Sequence, residues 1–398
     1  MTTIRIGRRA ALAAGVAALA SPAVVRAQAD PIKLATLTPL TGAGGPYGPV
    51  MVKTVKAVVD QVNAAGGVLG RKIELVSEDD QTNPEAGVRA ARKLIDVDKV
   101  SAILGTWASS VTTAVAPLCW ESKTFLATVS GADPITQLPH QGYLIRTQPN
   151  TTLQGRKFGE FTNAQGAKRV FFIAPQTPFT KSQFDNMTEA VKKGGGETAL
   201  LIYDDKKPAY RTEIDEMLRF KPDAVVLGGY TPDTTVLLKD LFRSGYSGLK
   251  VAYGYSVNQK LVESVPAEVV EKIYTISPSP AEGSKAYENL VKMIGVTSPD
   301  PYTTQIYDQI NLVLLAIALA GDASGTAIKD NVRKVSQAPG GAKIDNVIDG
   351  LKAIAAKQPV DYDGASGPCD FTDIGDIQDC KFRYDQVQGG KIALVKIA

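Results

Sequence analysis

Four short runs of hydroxyls, glycines and aromatic rings recur at one kind of place in this chain, just after a β-rich stretch. Trp107-Ala-Ser-Ser110 stands before a helical segment, so Ser109 and Ser110 offer hydroxyls beside the free N–H groups of a helix N-terminus. That setting suits a carboxylate, because donors and helix dipole both face it. Ser130-Gly131-Ala132-Asp133 follows the next β run, and Gly131 lets backbone approach a ligand closely. Gly228-Gly229-Tyr230-Thr231-Pro232 and Ala252-Tyr253-Gly254-Tyr255-Ser256 follow two runs of the second half. Serine and glycine also make ordinary caps and turns. Tyr253 and Tyr255 alternate on a strand end, which would send one ring to the core and one to solvent. The shared position argues for a site, since open α/β sheets hold ligands at the carboxyl ends of their strands.

Covalent and acid–base chemistry is thinly supplied. The single histidine, His140, sits in Leu138-Pro139-His140-Gln141 and reads as a solvated loop residue. Neither histidine pairs nor cysteine clusters make a zinc pattern. The chain has no Gly-x-Ser-x-Gly elbow and no P-loop. Gly42-Ala-Gly-Gly-Pro-Tyr-Gly48 is glycine-rich, but Pro46 interrupts it and it does not fit a dinucleotide fingerprint. Glu78-Asp79-Asp80 lacks calcium-loop spacing and reads as a capping or solvated cluster. The expectation is a binding protein rather than an enzyme, with no cofactor and no metal.

The elements that must position these runs alternate along the chain. Ile32 to Leu37 reads as a strand, and Val55, Val58, Val59 and Val62 then make the stripe of a helix that ends at Gly66-Gly67. Lys72 to Val76 is a second strand. Asn83-Pro84 opens a helix whose inner face carries Val88, Ala91 and Ile95. Strands at Val100 to Leu104 and Thr124 to Ala127 flank a helix from about Ser109. The rhythm restarts with β runs at Arg169 to Ala174, Ala199 to Tyr203, Ala224 to Leu227 and Leu249 to Ala252, with helices from about Phe179, Tyr210 and Pro232 between them. Repeated β-α units give parallel strands with right-handed crossovers, and two blocks give two Rossmann-like, doubly wound α/β lobes. Past Pro278 the pattern is helical (284–294, 302–320, 327–335, 347–357) and closes with short β runs near Cys380 to Tyr384 and Lys391 to Lys396. The apolar run Val313 to Ala320 is short and reads as a buried helix.

The first residues read as an export signal. Arg8-Arg9 precedes an apolar run from Ala10 to Ala20, then Ser21-Pro22 and the small-residue site Val25-Arg26-Ala27. That run is well below the ~20 residues of a membrane span. The paired arginines suggest the twin-arginine pathway, an ordinary secretory signal being the alternative. With no cysteine after the cleavage site, a lipid anchor is not expected. The product is expected outside the cytoplasm, in a periplasm. Removing Arg5, Arg8, Arg9 and Arg26 turns the formal charge from +3 to −1, so nothing argues for nucleic acid. Roughly 370 residues remain, enough for two domains. Their 44% apolar and 21% charged content (whole chain) is that of globular proteins. In an oxidising compartment, Cys369 and Cys380, eleven apart around Gly375, read as a disulfide. Cys119, in an apolar run, reads as a buried inert thiol.

The loops resemble those of the periplasmic leucine/isoleucine/valine-binding protein family, the receptors of branched-chain amino acid ABC transporters. Its carriers are Pro39-Leu-Thr-Gly42, Tyr47-Gly48, Val62-Asn-Ala-Ala-Gly-Gly67, Ile73 to Asp80, Ile103-Leu-Gly105, Ser109-Ser110, Gly228-Gly-Tyr230 with Pro232, and Tyr362-Asp-Gly364 with Ser366-Gly-Pro368. The resemblance implies two lobes joined by three crossovers, 28–148 plus 280–377 and 149–279 plus 378–398, behind the signal 1–27. It implies a monomer that closes on a small carboxylate or amino acid and is recognised by a membrane permease. Feeding a signalling partner instead of transport is the alternative. By resemblance Tyr47 is the aromatic at the cleft mouth, Trp107 a pocket wall and Ser109 the carboxylate-holding serine. Gly131 and Asp133 fall near the head-group contacts, and Phe179 and Tyr230 at tyrosines that close over the ligand. Leucine-binding members keep an acid after a strand of the second lobe, where this chain has Tyr253-Gly-Tyr255. Either Asp133 replaces that acid from the other lobe, or the ligand lacks an ammonium group. The aromatic residues favour an aromatic or other apolar carboxylate. The family's first-lobe disulfide has no counterpart, since Ala108 stands where one of its cysteines would.

Overall fold

The structure, a computed structural model, describes residues 30–398, so the export signal expected over 1–27 lies outside the described residues. Five parallel strands make the first sheet: β1 Ile32–Thr38, β2 Ile73–Asp79, β3 Ala102–Gly105, β4 Phe125–Thr128 and β5 Leu144–Arg146, in the order β2-β1-β3-β4-β5. In register, Leu37 lies opposite both Glu78 and Gly105, and Gly105 opposite Thr128. All the carboxyl ends therefore share one edge.

The second sheet has five parallel strands, β6 Arg169–Pro175, β7 Glu197–Tyr203, β8 Ala224–Leu227, β9 Leu249–Tyr253 and β10 Tyr274–Pro278. A small parallel pair, β11 Ala342–Ile344 and β12 Val360–Tyr362, stands apart. The antiparallel hairpin β13 Phe382–Gln388 and β14 Lys391–Ile397 completes the order β14-β13-β10-β9-β8-β6-β7. Alternate residues of β6 join different cores: Phe171 and Ile173 one, Val170, Phe172 and Ala174 the other. Both faces of this sheet are thus covered, as parallel sheets require. The chain passes between the two sheets three times, after β5, after β10 and before β13.

Each sheet reverses strand order once in its parallel part, between β1 and β3 and between β6 and β8. At such switch points neighbouring connections leave on opposite faces and open a crevice at the carboxyl ends. The loops that carry Tyr47 and Trp107, and those that carry Phe179 and Tyr230, leave these four strands.

The helix Pro301–Ala320 is long and apolar enough to cross a membrane by length and composition, but every residue from Tyr302 to Ile317 is buried within the protein. The helix Pro84–Arg92 is capped as its sequence indicates, with the Asn83 side chain accepting from Ala86 N–H. Its inner face differs from the expected one. Ala86, Gly87, Ala90 and Ala91 are buried, while Val88 and Ile95 are only half-buried. The neighbouring helix Ser109–Glu121 comes so near that a Cβ on Gly87 would lie 2.7 Å from Val111. Close helix contact selects small residues, so the large apolar ones marked the wrong stripe.

His140 is not solvated but buried, and its Nδ1 accepts from Gly142 N–H at 3.2 Å. Burial lowers its pKa. The expected Cys369–Cys380 disulfide is absent, and both are free thiols. Cys369 belongs to the core of the first sheet, whereas Cys380 packs against a core of the second. The loop between them is a crossover rather than a closed ring. Cys119 is buried, with its thiol pushed up to about 12 by desolvation.

Candidate functional site

A cavity of about 40 Å³ lies where the two switch points face each other. Trp107, Ala108, Ser109, Val129, Gly131 and Gln148 line it from the first sheet's side, Thr177, Phe179, Gly228, Tyr230 and Tyr255 from the second's, and Tyr302 from the long helix. No charged side chain lines it.

The first-sheet wall is a helix N-terminus on a hydroxyl scaffold. Ala108 is the N-cap of helix Ser109–Glu121 and provides no side-chain cap, which leaves the first-turn N–H groups to the cavity end of the dipole. Ser109 lines the cavity and its Oγ accepts from Ala132 N–H at 3.3 Å. Ser110 does not line it. Ser130 stands behind the wall, donating to the Thr106 and Trp107 carbonyls at 2.8 and 3.0 Å and touching Thr112 Oγ1. It holds the Trp107 backbone and, although expected among the contacts, does not line the cavity. Gly131 is needed for its smallness: a Cβ there would lie 2.8 Å from the Phe179 ring reaching across from the second sheet.

The second-sheet wall is aromatic. Trp107 is ringed by Tyr47, Tyr230, Tyr255 and Tyr302, with centroids 5.4 to 5.6 Å away. Tyr255 stacks on Tyr253 at 5.1 Å, and Phe179 meets both edge-on. β9 ends at Tyr253, so the alternation expected of a strand stops there. Tyr253 enters the core and Tyr255 faces the cavity, neither facing solvent. Burial raises the pKa of Tyr230, Tyr255 and Tyr302, which keeps their hydroxyls protonated and able to donate.

Two expected contacts prove to be fasteners between the lobes. The Tyr47 hydroxyl donates to the Tyr255 carbonyl at 3.1 Å and accepts from Asn258 Nδ2 at 3.2 Å, while its ring backs Trp107. It does not line the cavity. The Asp133 carboxylate accepts from Thr152 N–H and Oγ1, both at 3.0 Å, and from Asn186 Nδ2 at 2.7 Å. It too is off the cavity. Sequence reasoning missed Tyr302, Gln148 and Thr177. Tyr302 had a signal: Asp300-Pro301 is a helix-opening pair, and Asp300 caps Tyr302 and Thr303 N–H. Gln148 had none. Its Oε1 is buried without a partner.

Two α/β sheets, three crossings and a cavity at opposed switch points define a bilobal solute receptor of the type I periplasmic binding fold. The chain belongs to the periplasmic binding protein family, whose model matches residues 31–368. It is 23% identical to a leucine-, isoleucine-, valine-, threonine-, and alanine-binding protein of Pseudomonas aeruginosa, over 77% of this chain and 83% of that one. It is 24% identical to the chemotactic signal transduction system substrate-binding protein BasB of Halobacterium salinarum, over 86% and 84%. A leucine binding protein from Thermotoga maritima superposes with TM-score 0.78 at 21% identity, covering 92% of this chain and 98% of that one. A solute binding protein from R. palustris in complex with benzoate gives TM-score 0.75 at 18% identity, covering 92% and 96%.

Proposed function

We propose that this protein is a periplasmic receptor that closes its lobes, 28–148 plus 280–377 and 149–279 plus 378–398, on a small aromatic or apolar carboxylate lacking an ammonium group. It then delivers that acid to the permease of an ABC importer. The observation that carries this reading is the uncharged cavity lining, with Asp133 engaged elsewhere. A buried ammonium without a counter-charge costs several kcal/mol. A carboxylate is better provided for, by the uncapped helix end and Ser109. Ring faces of Trp107, Tyr230 and Tyr255 suit an aromatic body. The benzoate-bound neighbour supports the class.

Matched pairs test it. Refolded, ligand-free protein is titrated in a thermal-shift assay with phenylalanine against 3-phenylpropanoate, and leucine against 4-methylpentanoate. A ligand at one hundred times its Kd adds about 2.7 kcal/mol. Shifts with the des-amino acids alone are expected, and shifts with the amino acids alone would overturn the reading. The relation to BasB favours a second role, in which the closed form engages a signalling partner. Loss of uptake of the bound acid on deletion of the gene separates transport from sensing.

A further inference from the structure

We infer that Arg146, Asp376 and Asn150 form a latch across the first crossing that holds the lobes closed, and that Arg146 ties this latch to the cavity wall. This deepens the proposed lobe closure and rests on it. Residues 147–150 alone join β5 to the helix Thr151–Ala164, whose Phe158 and Phe161 pack in a core of the second sheet. Rotation of one sheet against the other must be absorbed in such connections. Asp376, on the third crossing, spans this one. Its Oδ1 accepts from Arg146 Nε at 2.6 Å, at the end of β5, and its Oδ2 from Asn150 Nδ2 at 3.0 Å, at the start of the helix. Parting the two ends of the crossing must therefore break one of these bonds.

Arg146 and Asp376 are both buried, so separating them would strand a charge away from water. Asn150 is half-buried and uncharged, and its bond is the one that yields. The rest of the guanidinium reaches the ligand wall. Nη1 donates to the Ala132 carbonyl at 2.6 Å and Nη2 to Thr136 Oγ1 at 2.9 Å. Ala132 N–H donates in turn to Ser109 Oγ, and Gly131 beside it lines the cavity with Ser109. The Gly131 carbonyl accepts from Thr151 N–H at 2.9 Å, the first residue of the same helix. The bonds thus close a ring: Arg146, the loop of Gly131 and Ala132, the helix start, Asn150, Asp376 and back to Arg146. A ligand seated against Ser109 and Gly131 fixes one side of that ring and so favours the whole. Arg146, Asp376 and Asn150 do not line the cavity and act as positioning residues.

Asn150 also caps its helix, accepting from Leu153 N–H at 2.9 Å, and the test keeps that cap. Asn150→Asp caps equally well but sets a carboxylate against Asp376. Stopped-flow dissociation of 3-phenylpropanoate or phenylalanine, whichever binds, should quicken by about tenfold or more, with association nearly unchanged. Asn150→Ser keeps a cap and gives up the amide, and should quicken dissociation by about threefold. Asn150→Asp combined with Asp376→Asn moves the charge one place along. The new amide still accepts from Arg146 through its oxygen and donates through its nitrogen to the new carboxylate, so dissociation should return to near the parent rate. Small-angle scattering at saturating ligand should show the parent compacted and Asn150→Asp less so. Parental dissociation rates in both single variants would overturn the latch. So would fast dissociation that the exchanged pair, folded as judged by urea unfolding, fails to restore; if that pair does not fold, Asn150→Ser decides. A parent that neither probe compacts would overturn the closure reading and the latch with it. Compaction by phenylalanine alone would overturn the carboxylate reading and leave the latch to the variants.

Discussion

On the first-lobe wall, the hydroxyls of Thr106, Thr112, Thr128 and Ser130 bond one another and the Thr106 and Trp107 carbonyls, so the turn that carries Trp107 is held from behind. The second-lobe wall is tied more sparsely, by the Thr231 hydroxyl to the Tyr255 carbonyl at 2.8 Å, the Thr180 hydroxyl to the Pro175 carbonyl at 2.6 Å and the Ser256 hydroxyl to the Gly229 carbonyl. The hydroxyls of Tyr203, Thr234 and Tyr253 and both ends of the Gln183 amide are buried without partners, and the wall is held chiefly by ring contacts. A satisfied polar network is rigid and favours one arrangement, whereas packed rings can repack at modest cost. The contrast assigns the two lobes different tasks. On the function proposed above, the first would present a fixed helix end to the carboxylate and the second would fit its rings to the body that follows.

The strongest way to break this contrast is to remove the ring both walls share. Trp107→Ala deletes contacts to Tyr47, Tyr230, Tyr255 and Tyr302 at once. Ligand affinity by calorimetry should fall about 100-fold or more, as for a buried aromatic anchor. Thermal or urea unfolding should show a loss of about 3–5 kcal/mol. A drop below tenfold would mean that the second lobe's rings bind the ligand on their own.

Thr38 Oγ1, Asp80 Oδ2, Gln148 Oε1 and Gln305 Oε1 on the first-lobe side lie outside that network and have no partner, and Asp80 is the one of them that titrates. Asp80 is fully buried, and while Oδ1 accepts from Thr82 N–H, Oδ2 has no partner. Burial raises its pKa to about 7. A carboxyl whose folded pKa is raised binds its proton more tightly folded than unfolded. Its contribution is fully present below about pH 4 and is lost as pH rises toward 7. By linkage the loss is roughly 4 kcal/mol. Asp308, raised to about 6, slopes the same way, so the difference from Asp80→Asn isolates Asp80. That variant should be more stable than the parent at pH 8 in urea titrations and equal to it near pH 4. A variant less stable at pH 8 would show that the charge is used.

Paired hydroxyl deletions sharpen the comparison directly. Ser130→Ala strands part of a closed network and should cost about 1–3 kcal/mol. Tyr253→Phe removes a buried hydroxyl that faces the Gln183 amide without a well-formed hydrogen bond and should be neutral or slightly stabilising in unfolding experiments. Equal losses in the two variants would show that the walls are not built differently.

The same division explains what the sequence made legible. Strands and helices of the β-α rhythm could be read because burial on both faces leaves long apolar runs, as in β1 and β6. β5 has three residues and β10 carries polar Thr275 and Ser277, so neither announces itself. Trp107, Ser109, Gly131, Phe179, Tyr230 and Tyr255 do gather on one cavity, because residue type and position after a strand both pointed to the carboxyl edges of the sheets. Ser130, Asp133 and Tyr47 lie off that cavity, because a hydroxyl or carboxylate beside a cleft has the same sequence signature whether it faces the cavity or another loop. The disulfide failed for a similar reason, since spacing in sequence does not reveal that Cys369 and Cys380 serve different cores.

The smallest effects are expected at the two fasteners, and they bear on how the unequal walls are brought together. Tyr47→Phe keeps the ring stacked on Trp107 and removes the hydroxyl that bonds Tyr255 O and Asn258 Nδ2. Asp133→Ala removes the acceptor shared by Thr152 and Asn186. Each should weaken binding by about 3–10-fold, the worth of one or two hydrogen bonds. The change should lie in the dissociation rate, because these bonds hold a closed state and do not guide encounter. Because neither side chain lines the cavity, the loss should be the same for 3-phenylpropanoate and for any amino acid that binds. Stopped-flow dissociation with both ligand types measures this. A selective loss of amino-acid binding in Asp133→Ala would return that carboxylate to the ligand and make the second lobe's missing acid a relocation instead of a change of ligand class.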